Sequence, residues 1–164
     1  MDGLPAGAPI EKVRGEPALV SACLLGHACR YDGGDNRDGV LEVELAAHGL
    51  RAVPFCPEEH GGLGTPRAAA WIEASGAGAV LDGRDRVVTG EGRDVTAGFL
   101  SGAHGALEAC RAQGIARAFL KERSPSCGVR HTHVAGIQVE GPGVTAELLR
   151  RQGIAVEGVE GRRG

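Results

Sequence analysis

Three short apolar runs in this chain each lead into a cysteine, and no other feature narrows the possible folds as much. Ala18-Leu19-Val20-Ser21-Ala22 ends in Cys23, and Leu50-Arg51-Ala52-Val53-Pro54-Phe55 ends in Cys56. Ile115-Ala116-Arg117-Ala118-Phe119-Leu120 leads into the polar segment Lys121-Glu122-Arg123-Ser124-Pro125-Ser126-Cys127-Gly128. Short runs that are apolar on both faces suit strands buried between helix layers. Helical patterns lie between them. Asp94 stands where an N-cap belongs, Val95, Phe99, Ala103, Leu107 and Cys110 fall on one stripe, and Gly114 closes the segment, so a helix is expected over 95–113. A shorter helix is expected over 37–48, with Val40, Val43, Glu44 and Ala47 at helical spacing, and another over 144–152, ended by Gly153. A last strand is expected over 154–159.

Between the second run and the long helix the pattern changes. Ala68–Ala74, Ala79–Leu81 and Arg86–Val88 alternate with turn signals at Ser75-Gly76, Asp82-Gly83 and Gly90-Glu91-Gly92. Asp-Gly between apolar runs favours a hairpin, so this stretch reads as a small β excursion. A further short strand is expected around 131–139, with His131 and His133 at its surface. The resulting order is strand, helix, strand, excursion, helix, strand, loop, helix, strand. That alternation implies an α/β fold: a single-domain, three-layer, Rossmann-like arrangement with a mostly parallel sheet and helices on both faces.

A chain of 164 residues suits one core, which we expect over 18–160, after a flexible, Gly- and Pro-rich tail over 1–17. Glycine is abundant at 28 residues and aromatics make up 3%, so the core falls to Ala, Val, Leu and Ile, and Trp71 reads as packing. A net charge of −3 argues against a nucleic-acid-binding surface, though not against a base or nucleotide as a small ligand. No apolar run reaches the length of a membrane span, and the N-terminus lacks a signal-peptide pattern. The expectation is a cytoplasmic protein whose five cysteines are thiols.

In a parallel sheet the carboxyl ends of the strands meet at one edge, where ligands bind. Cys23, Cys56 and Cys127 each follow such an end, although 33 and 71 residues separate them. Three thiolates in one crevice repel one another unless a cation sits among them, and thiolates favour zinc, copper(I) or iron–sulfur clusters. Three cysteines on a cubane leave its fourth iron open to substrate. Glu58 lies two residues beyond Cys56 and is placed to donate or accept a proton. Ser124 and Ser126 offer hydroxyls to a polar substrate, Lys121 offers charge, and Arg67, after a glycine-rich loop, is a candidate anion or carbonyl contact. Cys110 belongs to the helix stripe and reads as core. Cys29 follows Cys23 at a spacing that allows it either to ligate or to stand idle in its loop. The same residues leave open a zinc- or thiol-dependent hydrolase, or a non-catalytic metal- or ligand-sensing module.

Taken together, Ser21-Ala22-Cys23-Leu24-Leu25-Gly26, Arg30-Tyr31-Asp32-Gly33-Gly34, Cys56-Pro57-Glu58, Gly61-Gly62-Leu63-Gly64-Thr65-Pro66-Arg67, Asp94-Val95-Thr96 and Ser124-Pro125-Ser126-Cys127-Gly128 resemble the thiouracil desulfidase (TudS-like) family. The resemblance spans about Ala18 to Val156. It implies a compact α/β domain that holds a 4Fe–4S cluster on Cys23, Cys56 and Cys127. It further implies non-redox desulfuration of a thiolated pyrimidine: the substrate sulfur binds the open iron, water attacks the carbon, and sulfide is released. The family's catalytic glutamate falls on Glu58 and its active-site serine on Ser124 or Ser126. Cys29 stands where an aliphatic residue is expected in relatives.

Overall fold

The computed structural model describes residues 15–164 of the chain. The expected tail over 1–17 therefore lies outside the described residues up to Arg14, and its last two residues already belong to a strand. In chain order the elements are β1 (Glu16–Ser21), a 3-10 turn (Ala22–Leu25), α1 (Gly39–Ala47), β2 (Leu50–Phe55), α2 (Pro57–His60), β3 (Ala70–Ile72), α3 (Ala77–Leu81), β4 (Val87–Thr89), α4 (Thr96–Gln113), β5 (Arg117–Lys121), β6 (His131–Val134), β7 (Ile137–Glu140), α5 (Val144–Arg151) and β8 (Ala155–Val159).

The main sheet has strand order β2-β1-β5-β8, and every pairing in it is parallel. Alternation along the strands divides the core in two. Leu19, Ala118 and Leu120 join Phe99, Ala103, Leu107, Val144 and Leu149 on one face, under α4 and α5. Ala18, Val20 and Phe119 point the other way, toward Leu41 and Leu45 of α1. Both faces are thus covered by helices, as the doubly apolar runs require, and each fully buried Leu or Phe contributes about 1.5–3 kcal/mol of burial. The three-layer, mostly parallel α/β architecture read from the sequence is the one observed.

Four local readings are corrected. Ala79–Leu81 is the end of helix α3, not a strand. A short apolar run carries no period of its own. The deciding group is the Asp85 carboxylate, which accepts the N–H groups of Ala74, Ser75 and Gly76 and so organises the chain entering α3. Asp82-Gly83 is accordingly a helix exit, with Gly83 at φ +80°. In α1 the buried side chains are Leu41 and Leu45, whereas Val43 is 69% exposed. Asp38 sets that phase: its carboxylate accepts the Leu41 N–H at 2.9 Å and starts the helix later than expected. Asp94 accepts the Thr96 N–H at 2.9 Å, but Val95 occupies the cap position itself. Finally, 131–140 is a hairpin that turns at Ala135-Gly136, both with positive φ (54° and 78°), as a tight two-residue hairpin demands. This hairpin joins the expected excursion. Ile72 pairs in parallel with Val134, giving a second sheet of order β4-β3-β6-β7.

Candidate metal–sulfur active site

The chain leaves β1 toward β2 and leaves β5 toward β8, so the strand order reverses between β1 and β5. A crevice opens beyond the carboxyl ends of the strands at such a point. Here it is a cavity of about 480 Å³, and Cys23, Cys56 and Cys127 all line it. Glu58, Arg67, Lys121 and Ser124 line it too, and so does Cys29. Cys110 is buried on the core face of α4, away from the cavity.

Each cysteine-bearing segment is held by its own local chemistry. Cys23 sits in the 3-10 turn that stops at Gly26, whose φ of 94° suits glycine. Asn36 grips this turn twice: its N–H bonds the Cys23 carbonyl at 2.9 Å, and its side-chain amide donates to Cys23 Sγ at 3.4 Å. Cys56 precedes α2, with Pro57 in the first turn, where a missing N–H costs nothing. α2 rests directly on α4 because α4 presents Gly98, Gly102 and Gly105. A Cβ at Gly102 would stand 2.6 Å from the Pro57 carbonyl carbon, and one at Gly98 would stand 2.7 Å from Leu63 Cδ2.

Cys127 is held by a loop folded around two side chains. Ser124 Oγ accepts the N–H groups of Ser126 and Cys127, each at 3.0 Å. Glu122, 1% exposed, accepts the N–H groups of Val129, Arg130 and His131 and the Arg130 guanidinium. Burial works against its charge, but these donors outweigh it and hold its carboxyl below the usual range. The two serines therefore part company. Ser124 lines the cavity, whereas Ser126 is fully buried, with its hydroxyl against Thr145 Oγ1 at 2.8 Å.

Electrostatics distinguish the thiols. Cys23 is lowered to about 7 by a hydrogen bond from the Cys29 thiol, with help from Asn36 and the charge of Lys121 and against burial. Cys56 is also lowered, again first by Cys29. Cys29, lying between the two, is pushed up because its proton serves both. Burial raises Cys127. Burial likewise raises Glu58, while the Arg67 guanidinium, with Nη2 3.4 Å from Glu58 Oε1, pulls it down. Lys121 is lowered by burial; its Nζ donates to the Glu122 carbonyl at 3.0 Å.

The donor set fits a metal–sulfur group. Three soft sulfur donors line one cavity, two of them buried where a lone thiolate is poorly solvated, and an amide N–H already points at the Cys23 sulfur. Sequence reasoning passed over several contributors. Trp71 lines the cavity, where simple packing was expected. His133 faces it too, its Nδ1 bonded to the Arg123 carbonyl at 2.8 Å, and His131 on the same strand face is half-buried. Asn36 and Glu122 act through the cysteine loops, and only their closeness to Cys23 and Cys127 in the chain hinted at it.

Comparison with known proteins agrees with this geometry. The 2-thiouracil desulfurase family model matches residues 18–160. The Bacillus subtilis (strain 168) protein YbbK is 37% identical over 141 residues, covering 84% of this chain and 92% of YbbK. The solved structure of the 4Fe–4S-dependent thiouracil desulfidase TudS superposes with a TM-score of 0.74 at 47% identity, covering 87% of this chain and 90% of that one. On its sequence and on its fold, the chain belongs to the 2-thiouracil desulfurase family.

Proposed function

We propose that this protein is a desulfidase that converts a thiolated pyrimidine, thiouracil, to the oxo pyrimidine and sulfide, using a 4Fe–4S cluster held by Cys23, Cys56 and Cys127. The observation that carries the reading is that these three thiols and Glu58 share one cavity at the switch point of the sheet. The likeness to TudS, at 47% identity, supports both the cofactor and the reaction.

When bound, the cluster supplies a soft Lewis-acid iron, matched to a soft thiocarbonyl sulfur. The reaction is a hydrolysis: water adds its oxygen to the ring carbon, the carbon–sulfur bond breaks, and sulfur leaves as sulfide. No electrons are gained or lost. Glu58 takes the proton of the attacking water. Its burial favours the neutral form, so a carboxylate there is a stronger base than one in water, and it can return the proton to the departing sulfur. Arg67 fixes the carboxylate: its side chain is 8% exposed, and its Nη2 also donates to the Cys29 carbonyl at 2.9 Å. The Ser124 oxygen accepts two amides, which leaves its proton to donate to a ring oxygen or nitrogen. Trp71 offers the pyrimidine an apolar wall.

Among the described residues no helix is long and apolar enough to cross a membrane. That, with free cysteines at the site and a net charge of −3, supports action on a small molecule, not on a polynucleotide, in the reducing cytoplasm. The test is anaerobic reconstitution with iron and sulfide, then incubation with 2- or 4-thiouracil. Loss of thione absorbance matched by sulfide, one for one, is expected. A chain on which no cluster can be reconstituted, or a reconstituted cluster that releases no sulfide, refutes the proposal.

A further inference from the structure

Cys29 is the thiol of the crevice that the proposed reaction leaves unemployed. It is 4% exposed, and its sulfur, that of Cys56 and a carboxylate oxygen of Glu59 all lie within 4.8 Å of one another. Its place is built. The Cys29 N–H bonds the His27 carbonyl at 2.8 Å, and its carbonyl takes the Arg67 guanidinium at 2.9 Å. Cys56 Sγ faces that carbonyl at 3.9 Å. Glu59, on the first turn of α2, is steadied by a hydrogen bond from Thr65 Oγ1 to one of its oxygens. Two thiols and a carboxylate make a donor set for a divalent ion of zinc or iron(II) character.

Spacing separates this triad from the cluster ligands. Two sulfurs on one tetrahedral ion lie about 3.8 Å apart, given metal–sulfur bonds of about 2.3 Å. The triad needs only a small closure to reach that. A cubane instead takes each cysteine on a different iron, and the sulfurs of Cys23, Cys56 and Cys127 do not all fall within the 4.8 Å of one another that encloses the triad. Cys56 belongs to both sets, so the two cannot be filled together.

We propose that Cys29, Cys56 and Glu59 form a second metal site, which holds one thiophilic divalent ion in the cluster-free protein and is emptied when the cluster takes Cys56. The ion displaces the two thiol protons on binding, and with the carboxylate it leaves a net charge of −1 beside Arg67. The displacement by the cluster rests on the proposed function; the ion site itself does not.

The experiment uses the full chain, stripped of cluster anaerobically and titrated with cobalt(II), then back-titrated with zinc. One cobalt per chain with thiolate charge-transfer absorbance and tetrahedral visible bands is expected. Cys29→Ser and Glu59→Gln should each weaken it by about tenfold or more. Circular dichroism and a melting curve check that each variant is folded, and Glu59, being exposed, supplies a variant that leaves the core alone. Binding that Cys127→Ser abolishes and Cys29→Ser leaves untouched would mean that the ion sits on the cluster's ligands, and would overturn the proposal. Absence of a thiolate band overturns it as well. For the exclusion, zinc added before reconstitution should slow cluster assembly in the parent chain and not in Cys29→Ser; equal slowing in both refutes it. A cobalt site in a chain that never assembles a cluster would uphold this site and sink only the proposed function.

Discussion

Replacing Gly102 by alanine tests whether the α2–α4 contact sets the active-site geometry. Alanine in mid-helix is favoured over glycine by about 1 kcal/mol, so in isolation α4 gains stability. The structure opposes that gain. The new Cβ would stand 2.6 Å from the carbonyl carbon of Pro57 and 3.1 Å from its Cα, against backbone that cannot rotate away. Carbon atoms rest at about 3.5–4.0 Å, so α2 must retreat by roughly 1 Å. Overpacking of this kind costs about 1–3 kcal/mol. The expected net change in stability is therefore a loss of about 0–2 kcal/mol, the two effects largely offsetting.

Function has no such offset. Cys56 and Glu58 ride on the displaced turn. A misplacement of about 1 Å near the chemistry costs on the order of 100-fold in rate. The assay pairs urea unfolding with iron content and single-turnover desulfuration, using Ser101→Ala, exposed on the same helix, as the control. A Gly102→Ala protein that is more stable by about 1 kcal/mol, binds a full cluster and turns over at the parent rate would refute the reasoning.

Glu58→Gln should lower turnover by about 10²–10⁴-fold while iron and acid-labile sulfide content stay at the parent level, measured side by side. Ser124→Ala should lose both turnover and cluster retention, since its oxygen anchors the Cys127 amide, whereas Ser126→Ala should cost about 1 kcal/mol in unfolding experiments and leave the kinetics near normal. Glu122→Gln should destabilise the protein by about 2 kcal/mol at neutral pH. Because the folded state holds the Glu122 carboxyl below its unfolded value, its contribution is present above about pH 4.5 and fades as acid protonates the folded state. Urea unfolding across pH should thus show the gap between the parent and Glu122→Gln narrowing in acid, and a gap that is constant with pH would contradict the assignment.

What the sequence disclosed, and what it hid, follow from the range over which each signal acts. The doubly apolar runs reported the covered sheet because both faces of each strand must be filled, and Leu19 and Val20 do point into different halves of the core. The thiols were legible because strand ends meet at one edge whatever the intervening length. The phase of α1 was not, since Val40 and Val43 satisfy a helical period as well as Leu41 and Leu45 do; the Asp38 cap, braced by Arg163 at 2.8 Å from the far end of the chain, chose between them. α3 was missed for a similar reason, as its start is dictated by Asp85, which follows it. Ser124 and Ser126 were indistinguishable in sequence because the partner that buries Ser126, Thr145, comes from the next helix.

The second sheet was read as an appendage, yet it supplies the far wall of the cavity through Trp71 and His133, while the strands of the first sheet lead into Cys23, Cys56 and Cys127. The two sheets share a core through Ile72, Val87, Leu19 and Leu120, but the loops that line the crevice between them need fixing too, and Arg67 does so. Its backbone N–H bonds the Tyr31 carbonyl at 2.7 Å, its guanidinium reaches the carbonyls of Cys29 and Gly64, and the same group faces Glu58. It thereby ties the loop that follows Cys23 to the turn that follows Cys56. A single planar cation can serve three such acceptors because its donors diverge in a fixed fork, which lysine could not reproduce. The glycines at 61–64 are what let this residue lie so close: Gly62 and Gly64 take positive φ (81° and 80°), and Gly61 passes against the Gly98 backbone of α4. The glycine-rich loop therefore needs no phosphate to account for its composition. It is the path by which one arginine, starting from the surface, reaches the floor of the site.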